Sequence, residues 1–194
     1  MTTVKLTAVA AALGVVSLVP AGELKGTVHA TGVRTSADAV VYVDTIAGRT
    51  FAPPEEHPVI DQKDMVFVPH VLPVVAGTTV DFKNSDPFMH NVFTPEKCAE
   101  RFNLGSWPQG QMRSYTFKMP CVATLLCNVH PEMEAFVLVL PTPYFAVTDE
   151  SGAFHIPDLP DGTYTVKVWH AKLKEVSQEV TVSGTTDVNF EMKR

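Results

Sequence analysis

Cys127-Asn128-Val129-His130-Pro131-Glu132-Met133 decides the reading of this chain, because it places a thiol, an imidazole and a thioether in one short loop. Upstream, Asn84-Ser85-Asp86-Pro87-Phe88-Met89-His90-Asn91-Val92-Phe93 supplies a second imidazole at His90. Soft sulfur favours Cu(I) and imidazole suits both oxidation states, so two His, one Cys and a weak axial Met let neither state impose its own geometry. The C-x2-H-x2-M spacing fits a turn between two strands: Cys127 ends one, the turn brings His130 back, and Met133 opens the next. The fourth donor must then come from elsewhere in the fold, and His90, heading an apolar run, is the candidate. The expected metal ligands are therefore His90, Cys127, His130 and Met133, holding one type 1 copper ion. Zinc fits less well, because a thioether is a poor substitute for the strong donors of its four-coordinate sites. Taken singly, Cys127 and Met133 would read as core packing; their joint spacing carries the metal reading.

Around these residues the segment from Phe67 to Leu140 resembles a cupredoxin. Val74-Val75-Ala76-Gly77-Thr78-Thr79-Val80-Asp81-Phe82-Lys83-Asn84 is similar to that family's paired strands before the first ligand, His90-Asn91-Val92 to its first-ligand motif, and the Cys loop to the short loop of amicyanin. The whole chain resembles periplasmic methylamine-utilisation proteins. The resemblance implies a Greek-key β-sandwich, electron transfer, and a hydrogen bond from Asn91 across to the Cys127 loop, which makes Asn91 and Asn128 candidate supports of the ligands.

The chain opens with one charge at Lys5, an apolar run from Leu6 to Val19, and Val19-Pro20-Ala21. That pattern is a secretory signal peptide over residues 1–21, too short and Ala-rich for a membrane span, and no cysteine follows it to carry a lipid anchor. Export to the periplasm as a protein with no stable membrane anchor is the expectation. With 15 Lys and Arg against 21 Asp and Glu the net charge is -6, and no basic cluster marks a nucleic-acid surface. Of the three cysteines, two remain after Cys127. In an oxidising compartment Cys98 and Cys121 would pair, clamping the loop beside the metal, with two free buried thiols as the alternative.

Short alternating or β-branched runs bounded by Gly, Pro, Asn and Asp predict an all-β fold. Strands are expected at 24–30, 40–44, 65–75, 79–83, 90–93, 114–118, 122–126 and 135–140, with a short helix over 95–102. After Pro141, Thr148-Asp149-Glu150-Ser151-Gly152-Ala153-Phe154 and Leu159-Pro160-Asp161-Gly162-Thr163-Tyr164 resemble hairpins of carboxypeptidase regulatory-like β-sandwiches. Gly26-Thr27-Val28 and Ala39-Val40-Val41-Tyr42-Val43 resemble that family's opening strands, yet the Thr-Asp hairpin comes only at Thr148. The expectation is a cupredoxin over 60–141 inserted into a second small sandwich made of 24–52 plus 142–194, with 51–58 as the crossing. A tandem of 22–141 and 142–194 is the rival.

A carrier of single electrons between protein redox partners, and not an enzyme, is the leading functional expectation. Phe88, Met89 and Pro131 would form the partner's docking surface around His130. Copper storage or delivery is the alternative, though the seven methionines are scattered. A copper oxidase or reductase would need a further His-rich centre, and His29, His57, His70, His155 and His170 read as separate surface or strand residues.

Overall fold

A computed structural model describes residues 21–194; the expected signal peptide lies, but for Ala21, outside the described residues. Sixteen strands follow in chain order: β1 (Ala21–Ala30), β2 (Val40–Val43), β3 (Val59–Lys63), β4 (Val66–Val68), β5 (Val71–Val75), β6 (Thr79–Asn84), β7 (His90–Phe93), β8 (Asn103–Trp107), β9 (Met112–Thr116), β10 (Cys121–Leu126), β11 (Glu134–Leu140), β12 (Phe145–Val147), β13 (Ala153–Pro160), β14 (Gly162–Trp169), β15 (Val176–Val182) and β16 (Thr185–Met192). They form four sheets, ordered β4-β3-β6-β9 and β5-β11-β10-β7-β8 in one sandwich, and β13-β1-β16 and β12-β2-β14-β15 in the other. The fold is all-β, with two sandwiches.

The first sandwich closes over Ile60, Phe82, Val92, Trp107, Phe117, Leu125 and Val137. The second closes over Leu24, Val28, Val41, Ile156, Val166, Val182 and Phe190, contributed by β1 and β2 as well as by the strands after residue 145. Between β2 and β12 the chain leaves to build the first sandwich and returns. Its two crossings are tied together: Thr142 donates its hydroxyl to the Val43 carbonyl at 2.7 Å, and Val43 N–H donates to the Tyr144 carbonyl at 2.9 Å.

A third apolar cluster joins the sandwiches. Side chains alternate along a strand, so Ala135, Val137 and Val139 of β11 face the first core while Phe136, Leu138 and Leu140 face outward. On β2, Val41 and Val43 face the second core while Val40 and Tyr42 face outward. These two outward faces pack on each other with Val71, Phe145 and Trp169, giving a stack of four sheets. Full burial of such a side chain contributes about 1.5–3 kcal/mol, so the junction resembles a core and not a loose tether. The uninterrupted apolar runs VVYV and AFVLVL follow from it, because both strands have no wet face.

Close approaches explain two glycines. At Gly26 a Cβ would overlap the Val188 carbonyl on the neighbouring β16, and at Gly152 (φ 85°) it would overlap the Val28 carbonyl. The expected strand over 65–75 is interrupted at Pro69-His70, where the chain passes from the sheet of β4 to that of β5. The expected helix over 95–102 reduces to a 3-10 turn, Lys97–Ala99, which ends at Glu100 in a left-handed conformation (φ 58°). Val59–Lys63 and Asn103–Trp107 are strands that the residue pattern did not reveal, the second because its Gly and Asn argue against β structure.

Candidate metal centre

Cys127 follows the last residue of β10, and Met133 precedes the first of β11, so the antiparallel pair Leu126↔Glu134 closes the base of the loop. Met133 N–H donates to the His130 carbonyl at 3.0 Å, which turns His130 back toward the strand ends. His90 opens β7, whose Phe93 pairs with Leu126. Metal-ligating atoms of His90, Cys127 and His130 all lie within 4.8 Å of one another. The two Nδ1 atoms face each other at 2.9 Å, with ring centroids 4.7 Å apart. His90 and Met133 are fully buried and Cys127 is 3% exposed, whereas His130 is half-buried.

Asn91 links the two ligand-bearing segments. Its backbone N–H donates to Cys127 Sγ at 3.5 Å, and its side-chain Oδ1 accepts the Asn128 N–H at 3.3 Å. Its Nδ2 donates to Asn103 Oδ1 at 2.9 Å and the Gly105 carbonyl at 2.8 Å, anchoring the side chain in the β7–β8 ladder. Asn128 therefore contributes its backbone, while its side chain is exposed.

Asp86 is a residue that sequence reasoning missed. Its Oδ2 lies 2.8 Å from His90 Nε2. The same carboxylate accepts the N–H groups of Asp64 at 2.7 Å and Met65 at 2.9 Å. Burial pushes its pKa up, but the Met65 N–H, the His90 imidazole and the Asp64 N–H outweigh that and hold it below the usual carboxylate range. An ionised carboxylate only accepts, so the Nε2 edge of His90 donates to Asp86 while its Nδ1 edge faces His130. A carboxylate four positions before a ligand histidine was the available signal.

Two imidazoles with Nδ1 inward, a buried thiol receiving a backbone N–H, and a buried thioether at the start of β11 fit copper by donor chemistry. Phe88 (53% exposed), Met89 (51%) and Pro131 lie on the surface near His130, the Phe88 ring 6.5 Å from its imidazole. Val129 (46%), on the same loop, adds to the exposed apolar surface.

Cys98 and Cys121 form a disulfide, Cα–Cα 6.1 Å. Its position corrects one expectation. Cys121 opens β10 and Cys127 follows its end, so about 20 Å of extended strand separates bridge from metal site. The bridge fastens the far end of β10, not the metal loop. The remaining histidines are distributed: His57 pairs with Asp81 at 3.2 Å, His70 with Asp38 at 3.0 Å, His155 with Glu23 at 2.9 Å, His29 is exposed, and His170 is buried.

Residues 55–140 match the family of copper binding proteins of plastocyanin/azurin type, and residues 131–193 match the carboxypeptidase regulatory-like domain. Similar solved structures include a copper-containing nitrite reductase from Thermus scotoductus SA-01 (23% identity, 52% of this chain and 25% of that one, TM-score 0.43). A reduced amicyanin variant is 24% identical over 45% of this chain and 91% of its own, with TM-score 0.42. A purple cupredoxin from Nitrosopumilus maritimus is 22% identical over 42% of this chain and 98% of its own, with TM-score 0.39. The chain spans a quarter of the nitrite reductase's length. No curated protein matches the chain.

Proposed function

From a chain whose residues 55–140 match the plastocyanin/azurin copper-binding family and whose residues 131–193 match the carboxypeptidase regulatory-like domain, we propose that the protein is an exported, periplasmic carrier of single electrons. The observation that carries this reading is the convergence of His90, Cys127 and His130, with Met133 buried in the same core as Cys127 and the Asn91 N–H on the sulfur. Copper held by these four residues would supply a Cu(II)/Cu(I) couple. Asp86 orients the His90 ring and Asn91 fixes the two ligand segments against each other, so oxidised and reduced states meet the same donors. Burial of His90, Cys127 and Met133 excludes water and favours retention of the metal over release, which supports a carrier above a storage or delivery protein.

His130 alone of the three converging donors is half-exposed, and exposed Phe88, Met89, Val129 and Pro131 form an apolar surface near it. The electron enters and leaves by this edge, through brief contact with a protein partner over a small interface. Lys5 followed by the apolar run from Leu6 to Val19, read as an export leader over 1–21, supports the periplasmic placement. Among the described residues no helix is long and apolar enough to cross a membrane.

The test is optical and paramagnetic spectroscopy of the copper-loaded protein, repeated through cycles of reduction and reoxidation. The expected result is an intense thiolate-to-copper absorption, one copper per chain, full recovery of colour on reoxidation, and loss of the band in Cys127→Ser. Colourless Cu(II) protein would refute the type 1 site. Copper lost on reduction would favour delivery, and turnover of nitrite by the purified protein would make it an enzyme.

A further inference from the structure

Resting on the copper reading above, we propose that the second sandwich is a buttress for the metal loop, with Asp38 and Trp169 as positioning residues that act on the Met133 side of the site through His70 and Phe136. Met133 opens into β11, and three residues later the Phe136 ring leaves the first sandwich by its outer face. Trp169, from the second sandwich, meets that ring at 5.3 Å between centroids. His70 meets it edge-on at 5.6 Å, and Phe136 N–H donates to the His70 carbonyl at 2.9 Å.

His70 is in turn held from the second sandwich. Its Nδ1 lies 3.0 Å from the Asp38 carboxylate, and the Asp38 N–H donates to the Thr148 carbonyl at 3.3 Å. The Thr148 hydroxyl accepts the Ala39 N–H at 3.0 Å and donates to the Ser36 carbonyl at 2.6 Å, so the turn that carries Asp38 is itself fixed. His70 and Met133 line one cleft of about 490 Å³ together with Val66, Phe67, Glu132 and Glu134. The strand that follows the thioether is thus gripped on its outer face by groups from both sandwiches. Close-packed interiors transmit displacement instead of absorbing it, so loosening this grip shifts the start of β11, and with it the loop from Cys127 to Met133.

The metal-free protein offers a direct readout. Cys127 is buried, and the other two cysteines of the chain are bonded to each other, so the rate at which a thiol reagent labels the apo-protein reports opening of the loop. Trp169→Ala removes an aromatic pair, and labelling should accelerate about three- to tenfold. Asp38→Ala removes a half-exposed carboxylate–imidazole contact and should give about twofold. Phe190→Leu lowers stability from the interior of the second sandwich without touching the junction and should leave the rate unchanged. In copper-loaded protein, Trp169→Ala should displace the reduction potential while Phe190→Leu does not. Unchanged labelling and potential in Trp169→Ala and Asp38→Ala, or equal acceleration in Phe190→Leu, would overturn the proposal. Should Trp169→Ala fail to fold, Asp38→Ala against Phe190→Leu decides alone. A colourless wild-type protein with the expected labelling pattern would refute the copper reading and leave the buttress standing.

Discussion

Asp86→Asn is the substitution that isolates charge from shape at the metal site. The carboxylate is 5% exposed and engages His90 Nε2, Asp64 N–H and Met65 N–H at 2.7–2.9 Å. Asparagine keeps the volume and one acceptor oxygen but removes a negative charge. Across the imidazole ring that charge would stand about 7 Å from an ion held at His90 Nδ1, which at an effective dielectric of about 20 would be an interaction of about 2.4 kcal/mol. For a one-electron couple, 59 mV corresponds to a factor of ten, or 1.36 kcal/mol, so the expected shift is about 100 mV. The sign follows from the charge: a carboxylate stabilises Cu(II) more than Cu(I), so its loss raises the potential. Copper affinity should fall about 10- to 100-fold as well, as for other groups that orient a ligand. A spectroelectrochemical titration at fixed pH measures the first and competition with a chelator the second. A variant that stays blue but whose potential falls, or rises by less than about 30 mV, the value for bulk-water screening, would refute the argument that Asp86 acts on the site by its charge.

Three further outcomes are expected. Met133→Leu should retain copper and raise the potential, because the axial thioether is the weak, tuning ligand; complete loss of metal would show that it holds the ion. Phe88→Glu should slow electron exchange with a protein partner about tenfold, as truncation of a central contact does, with the optical spectrum nearly intact; unchanged exchange kinetics would move the docking face elsewhere. Replacing both Cys98 and Cys121 by Ala should lower unfolding free energy by about 3 kcal/mol, the chain-entropy figure for a loop of this length. Since the bridge lies at the far end of β10, the copper spectrum should not change, and bleaching of the colour would refute that placement.

The convergence of His90, Cys127 and His130 was legible because these types are unusual in combination and two of them fall in one turn, where sequence distance equals spatial distance. Asn91 came from family resemblance, and the structure supplies its bonds to Asn103 and Gly105. Asp86 was not read, although it stands inside the quoted ligand stretch, because Asp-Pro reads equally as a turn. The disulfide pair was read but its place was not, since order along the chain does not say which end of a strand faces the metal. Strand Asn103–Trp107 escaped notice because its stability comes from pairing with His90, Asn91 and Phe93, and its own residues have weak β preference.

The junction between the sandwiches shows the same limit from another side. The run Ala135-Phe136-Val137-Leu138-Val139-Leu140 announces a strand without a wet face, yet nothing in it names what covers the outer side. The cover is β2, some ninety positions earlier in the chain, which carries the matching run Val40-Val41-Tyr42-Val43. Two short interior strands, each apolar on both faces, would leave an apolar sheet face exposed in separate domains; packed together they cover each other. The arrangement also constrains the metal site. Cys127 hangs from β10, held in register by β11 over six residue pairs, and Met133 from β11, which is fixed on its inner face by the first core and on its outer face by the second sandwich. His90 is fixed by Asp86 and by the β7–β8 ladder. His130 alone of the three converging groups sits mid-loop, away from any strand and half-exposed, so its position is set by the loop and not by a ladder.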